Sequence, residues 1–573
     1  RTNTNATFLQ NISVGVAITA GKLGIGFTDT NIKVGNTALD SLTTGTYNTA
    51  VGNNVLTANT TGTRNTAVGS FALDATTTAE DNTAVGYGAL GAGSGSQNTA
   101  VGSKAADALT TGSQNTVVGY EALTSATTGT YNAAVGFEAM KDATTASDCC
   151  AFGRQALANN TTSNSNCAFG SVALFTQTDG GTKNCAFGNS TLYSNTTGDS
   201  NCAFGDAALY TNTTGSRNIA IGDYAMGVNT TGSYNVAIGH GALDANTTAD
   251  SNTAVGYVAL GANTTGANNV AVGKNALVAS TTGTRNTAVG TNVLDNLTTG
   301  DDNTAIGFEA LTQCSGSDNT ALGKDCLYHC TTGGFNTAAG KDSLTAVTTG
   351  TENTGHGVST GLNLTTGNQN TCVGSEAGHD LTTGDNNIVI GNGAATSLNE
   401  GSNNVVIGVN AGHTGLDDIT TGANNIIIGY DAKASSATVT NEITLGNTSI
   451  TTLRCGTTAI ASLSDRRDKT EIKDLDYGLD FVNSLRPVQF KWKVRELTES
   501  DKNCAKNDTV RAGFIAQELQ ESMPNGENNI LDLVSEQNPE RLEIKQSNLI
   551  PMMVKAIQEL QAKVSELENK LNN

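Results

Sequence analysis

The chain has 573 residues, among them 66 Gly and only 4 Pro, with 14% charged residues and a formal net charge of -21. A globular chain has about 25% charged residues, and the low charge here, combined with abundant Val, Ile and Thr, excludes a charge-rich disordered polymer. The acidic balance argues against a nucleic-acid backbone as partner, and no run approaches the ~18 consecutive apolar residues of a membrane span.

Residues 1–30 are irregular, with Gly15, Gly24 and Gly26 set among Val and Ile. They read as an N-terminal cap or attachment segment. The sequence starts at Arg1 and has no signal-peptide pattern, so processing or further sequence upstream stays open.

From residue 31 to 450 the chain repeats. The anchor N-x-A-x-G occurs as Asn48 to Gly52, Asn65 to Gly69, Asn82 to Gly86 and Asn98 to Gly102, and continues to Gly374, Gly391 and Gly408. The 22 intervals between Gly35 and Gly408 give (408 − 35)/22, or about 17 residues per repeat. Gly429 and Gly446 extend the series after a longer insertion, for roughly 25 coils. Helical and leucine-rich repeats are longer than this; 17 residues suit two short strands and two turns. The anchor predicts one strand, and runs such as Ala72-Leu73 and Ala89-Leu90 predict the other. Thr60-Thr61-Gly62 predicts a turn in which Gly supplies positive φ. Coils stacked about 4.8 Å apart make a mainly β, parallel solenoid.

Within the anchor strand, Val51, Val85, Phe152, Ile221 and Leu322 precede Gly, and Thr49, Cys150, Val236 and Ile388 lie two residues earlier. These share one face and are expected to fill the coil's own core. Ala50, Ala67, Ala84 and Ala237 then face outward, as small apolar residues suited to close packing against another chain. Cys150, Cys167, Cys185 and Cys202 recur in this pattern beside Phe152, Phe169, Phe187 and Phe204, and are expected to form a core layer of small hydrophobes. The 11 Cys form no CxxC zinc pattern, and the sequence calls for no metal and no cofactor. Asn-x-Thr sequons such as Asn59 and Asn195 read as turn chemistry.

The N-T-A-V-G-x-x-A-L coils resemble the head repeats of trimeric autotransporter adhesins. That resemblance implies a left-handed parallel β-roll assembled as a homotrimer. The repeat here is slightly longer, and the membrane strands that end that family are missing from this sequence.

After about residue 455 the composition changes, and about half of the 31 Lys and Arg lie beyond Leu463. Residues 451–463 read as a linker and 464–546 as a small α+β domain. Leu485-Arg486-Pro487-Val488-Gln489-Phe490-Lys491-Trp492 reads as a strand entered through Pro. Gly513-Phe514-Ile515-Ala516-Gln517-Glu518 reads as a strand end leading into a helix. In residues 547–573, Met553, Ile557, Leu560, Val564, Leu567 and Leu571 alternate by four and three, the seam of a coiled coil.

Ser464-Asp465-Arg466-Arg467-Asp468-Lys469-Thr470-Glu471-Ile472, followed in order by these segments, resembles the intramolecular chaperone domain of endosialidase tailspikes and related phage fibres. The resemblance implies a domain that trimerises, registers the fibre and cuts itself off at its first Ser. Carried over, Ser464 is the nucleophile, Lys469 the base and Leu463-Ser464 the cut bond. A Ser–Lys pair suffices for such chemistry, and burial lowers a Lys pKa enough to make it a base. Gln517 and Glu518 are supporting candidates.

The sequence thus predicts a structural trimeric fibre or spike subunit on a virion surface, made in an infected cell. Other virion or tail proteins would bind its N-terminal segment, and a host glycan or protein receptor its stalk. The rival readings are a bacterial trimeric adhesin, a polysaccharide-degrading tailspike and an ice-binding solenoid. A tailspike enzyme needs paired carboxylates in a pocket. An ice-binding face needs outward Thr, whereas this Thr column alternates with Val, Ile and Cys, which implies burial.

Overall fold

A computed structural model describes residues 26–28, 30–93, 95–413, 418–450, 466–491, 510–523, 531–535 and 542–572. The chain divides into two units, Arg1–Thr349 and Gly350–Asn573. It is mainly β, a parallel β-solenoid of about 24 turns followed by a small region that ends in a helix at residue 572. Most of the N-terminal segment assigned to 1–30, and the whole linker at 451–463, lie outside the described residues.

In the first unit, β1 (Gly26–Thr28) runs antiparallel to β2 (Asn31–Val34). From β2 onward every step is parallel, through β3 (Thr49–Val51), β4 (Thr66–Val68) and so on to β20 (Thr337–Ala339). Like residues stack: Thr49 pairs with Thr66, Ala50 with Ala67 and Val51 with Val68. Each coil contributes one short strand, of four residues in β2 and three from β3 on.

The faces of that strand are the reverse of the sequence expectation. Ala50, Ala67 and Ala84 are fully buried inside the coil, whereas Val101, Phe152 and Ile221 are 36%, 38% and 39% exposed on its outside. The coil interior is narrow. It already holds Ala72 and Leu73 from the opposite side and Asn65 from the strand's start, all fully buried. In most coils the small Ala fills the space between them, and in a few a Val such as Val117 does, also buried. The larger Thr, Val, Ile and Phe side chains are turned outward, and the Thr column that the ice-binding argument took as buried is on the outer face.

The second short strand is also replaced. Ala72-Leu73 and Ala89-Leu90 lie in turns, with φ of +60° at Phe71, +50° at Leu73 and +52° at Leu90. The two left-handed residues Phe71 and Leu73 send their N–H groups to opposite neighbours, while Ala72 between them donates within its own coil to Gly69 O at 3.4 Å. Phe71 N–H donates back to Asn53 O at 3.0 Å, and Leu73 N–H donates forward to Ala89 O at 3.0 Å. The turn thereby satisfies its backbone on both sides without being a strand.

The Thr-Thr-Gly turn needs its glycine for room. Gly62 lies outside the left-handed region, but a Cβ on it would sit 2.4 Å from Ala79 O in the next coil. The anchor glycine is where positive φ is required: Gly69 has φ +128°, and a Cβ there would meet Gly86 O at 2.4 Å.

The anchor Asn, whose role the sequence did not disclose, stitches coils together. Asn48 Nδ2 donates to Gly62 O at 2.9 Å, and its Oδ1 accepts the Asn65 N–H at 3.0 Å. The same bonds recur at Asn65, Asn98, Asn201 and Asn218.

The second unit repeats the plan from β21 (Thr354–His356) to β26 (Ile443–Leu445). The ladder continues across the longer repeat, where β24 (Val405–Ile407) pairs directly with β25 (Ile426–Ile428). Of the two loop carboxylates, Asp417 lies outside the described residues, and Asp418 accepts Ser397 Oγ at 2.9 Å. Beyond the coils, α1 (Leu479–Ser484), β27 (Val488–Phe490), β28 (Arg511–Gly513), α2 (Ala516–Ser522), β29 (Val534–Ser535), β30 (Glu543–Ile544) and α3 (Leu549–Asn572) form a small α+β module. Its core gathers Phe481, Leu519, Met523, Leu533, Val534, Leu549 and Met552.

Candidate functional site

The site inferred from the sequence opens in this module. Leu463 and Ser464 lie outside the described residues. The chain is described again from a 3₁₀ turn at Arg466–Asp468, which Lys469 closes by donating its N–H to Arg466 O at 3.3 Å. The Lys469 side chain is exposed. From there the chain packs inward through Leu475 and Tyr477 and enters α1, which buries Phe481. The first N–H of α1, on Leu479, is capped from α3 by Glu559 Oε2 at 2.7 Å. An acidic cap suits a helix N-terminus, and this one ties the start of the module to its last helix.

The two motifs that follow come together. β27 and β28 pair antiparallel, with Val488 opposite Gly513 and Phe490 opposite Arg511. A Cβ on Gly513 would lie 3.0 Å from the Phe490 ring, so glycine admits the aromatic side chain. Just before β27, Arg486 Nε donates to Glu518 Oε2 at 2.9 Å, and its Nη2 bonds Oε1 as well. This two-point pair lowers the Glu518 carboxyl below its usual range and raises the Arg486 guanidinium. Glu518 is therefore committed to locking α2 against the entry to β27. Gln517 is exposed. Sequence reasoning named Glu518 and missed its partner, although Arg486 stands in the quoted Leu-Arg-Pro motif. Trp492 lies outside the described residues.

α3 has two apolar faces. Leu549, Met552 and Ala556 are buried against the module. Met553, Ile557, Leu560, Val564, Leu567 and Leu571 are 40–90% exposed along the other face. These six residues form an exposed apolar stripe on a 24-residue helix.

Residues 464–526 match the family model described as the chaperone of endosialidase. The match begins at Ser464, takes in α1, the β27–β28 pair and α2, and leaves the solenoid outside. No curated protein matches the chain. The matched segment thus contains both segments that the Arg486–Glu518 pair joins, together with Lys469.

The solenoid surface supplies the other candidates. Phe152, Phe169, Phe187 and Phe204 stack with ring centroids 4.8, 4.7 and 4.6 Å apart on the outer strand face. Cys150, Cys167, Cys185 and Cys202 flank them as free, half-buried thiols. The expectation of a core layer is corrected, since Ala151 and Ala168 occupy the interior between them. The sequon residues Asn59 and Asn195 are fully buried, with Oδ1 of Asn59 accepting the Gly62 N–H at 3.0 Å. Among the described residues no cluster of three His, Cys, Asp or Glu side chains could hold a metal, and no helix is long and apolar enough to cross a membrane. A shallow depression of about 330 Å³ lined by Thr182, Lys183, Asp199, Ser200, Ser216 and Arg217 has a single carboxylate, short of the pair that glycoside hydrolysis uses.

Proposed function

We propose that the chain is one subunit of a homotrimeric viral fibre or spike whose C-terminal module is an intramolecular chaperone, removed by its own cut at Leu463-Ser464. One observation carries this reading above the others: the chaperone family match opens on Ser464, directly after a long β-solenoid. Two unpartnered apolar stripes, the outer strand face and the α3 seam, support assembly with further copies. The likeness to trimeric β-roll heads favours three copies over two. The mature fibre belongs on the virion surface, held by other virion proteins through its N-terminal segment and presented to a host glycan or protein receptor.

In this mechanism Ser464 Oγ attacks the carbonyl carbon of Leu463 while neutral Lys469 takes the hydroxyl proton. The Leu463–Ser464 C–N bond breaks, an ester to Oγ forms, and the Ser464 amine leaves with a proton. Water opens the ester to the Leu463 carboxylate and the Ser464 hydroxyl. Lys469 is exposed in the single chain, and burial on assembly is what would let a Lys serve as the base. Cutting thereby waits for the trimer.

Intact masses of the wild type and Ser464→Ala test the proposal. A wild-type fragment beginning at Ser464, with the variant whole, is the expected result. If both stay whole while forming trimers, the module is a retained trimerisation cap and the Ser464–Lys469 pair is not catalytic.

A further inference from the structure

Two cysteines in the first unit stand apart from the outer ladder. Cys314 Sγ lies 3.7 Å from Cys330 Sγ, and both residues are fully buried. They hold the same place in consecutive coils: each donates its backbone N–H three residues back, to Leu311 O and Leu327 O, both at 3.2 Å. Leu297 and Val347 hold that place in the coils on either side, and both are fully buried. The thiols therefore face each other in a buried layer between two aliphatic ones, with Asn319 Nδ2 donating to Cys314 Sγ at 3.6 Å and Cys330 Sγ donating to Gly333 O at 3.4 Å. Coils stacked about 4.8 Å apart fall inside the roughly 4.4–6.8 Å Cα separation that a disulfide spans. To bond, the sulfurs must approach from 3.7 Å to about 2.05 Å. Cys326, buried on the same coil as Cys330, has no hydrogen-bonded thiol neighbour among the described residues, and desolvation pushes its thiol up to about 12.

We infer that Cys314 and Cys330 are a modification site, a pair that forms a disulfide stapling two adjacent coils. The oxidant is a small-molecule disulfide of the glutathione class. The Cys314 thiolate attacks one of its sulfurs and expels the other half as a thiolate. The Cys330 thiolate then attacks Cys314 Sγ and expels the second half. Two protein thiols lose two protons and two electrons, and the small-molecule disulfide is reduced to two thiols. Burial sets the timing: exchange takes place while the coils stack or when they open, and the finished bond is then shielded from reductant.

The test treats the full chain with oxidised glutathione, both during refolding from denaturant and without prior unfolding, then blocks free thiols and maps tryptic peptides. Cys314 lies in peptide 286–324 and Cys330 in 325–341. The expected result is a linked pair of these peptides that is two hydrogens lighter than their sum and separates on reduction. The link should persist in Cys326→Ser and vanish in Cys330→Ser. Non-reduced chain should also melt several degrees above reduced chain, with the difference absent in Cys330→Ser. Blocked, unlinked Cys314 and Cys330 in both samples would overturn the inference, as would a link that depends on Cys326.

Discussion

Asn218 Oδ1 accepts the backbone N–H of Asn235, one coil on, at 3.0 Å, with both residues fully buried. In Asn218→Ala the Asn235 N–H loses that acceptor in a place water does not reach. An unsatisfied buried donor costs about 1–3 kcal/mol. At about 2 kcal/mol, local opening becomes roughly 30-fold more frequent, and amide hydrogen exchange at Asn235 should accelerate by that factor. Thr253→Ala, on the half-exposed outer face of its strand, should leave the same amide unchanged.

The turns store strain that substitution can release. Val258 has φ +54°, a left-handed conformation that is unfavourable for a β-branched residue. Asn tolerates that region, so Val258→Asn should stabilise the folded chain by about 1 kcal/mol, read as a higher thermal midpoint. Val255→Asn, in an extended strand, should lower it.

The α3 seam predicts oligomer state. Ile557 and Leu560 are 64% and 50% exposed in the single chain. If they pack against further copies, Ile557→Asp with Leu560→Asp buries charge in an apolar seam. Sedimentation equilibrium should then show wild-type trimers and a variant shifted to smaller species, with the far-ultraviolet β signal of the coils retained.

The Arg486–Glu518 pair predicts a pH dependence of known sign. The guanidinium lowers the Glu518 carboxyl below its unfolded value. A depressed carboxyl stabilises the fold above its unfolded pKa, and that contribution is lost as pH falls through the folded value. Denaturant midpoints of wild type and Glu518→Gln should therefore differ at pH 7 and converge below pH ~4. The gap at pH 7 should shrink in high salt, because the pair is exposed.

The repeat, its period, the anchor glycines and the α+β module with its terminal helix were legible because they depend on spacing and backbone conformation, which sequence carries directly. Which strand face is inside was not legible. Both phases of Thr-Ala-Val are apolar enough to be core, so the pattern is symmetric to an argument from hydrophobicity. The choice falls to which face meets the buried Leu73 and Asn65 from other parts of the coil. The left-handed Leu and Phe residues were hidden for a related reason, since neither residue type favours positive φ and only the hydrogen bonds of stacked neighbours hold them there. In the module, the motifs announced that Arg486 and Glu518 were present, but their pairing depends on the β27–β28 register across 32 residues.

The antiparallel turn-back of β1 onto β2 bears on how such a molecule avoids polymerising. Every coil of a parallel solenoid is a template for the next, so an open first coil would accept the last coil of another molecule and grow without limit. β2 has one neighbour in β3 and the other in β1, which runs the wrong way to continue the ladder. A strand of three residues acts as a chain terminator, and its deletion should turn a discrete molecule into one that stacks end to end.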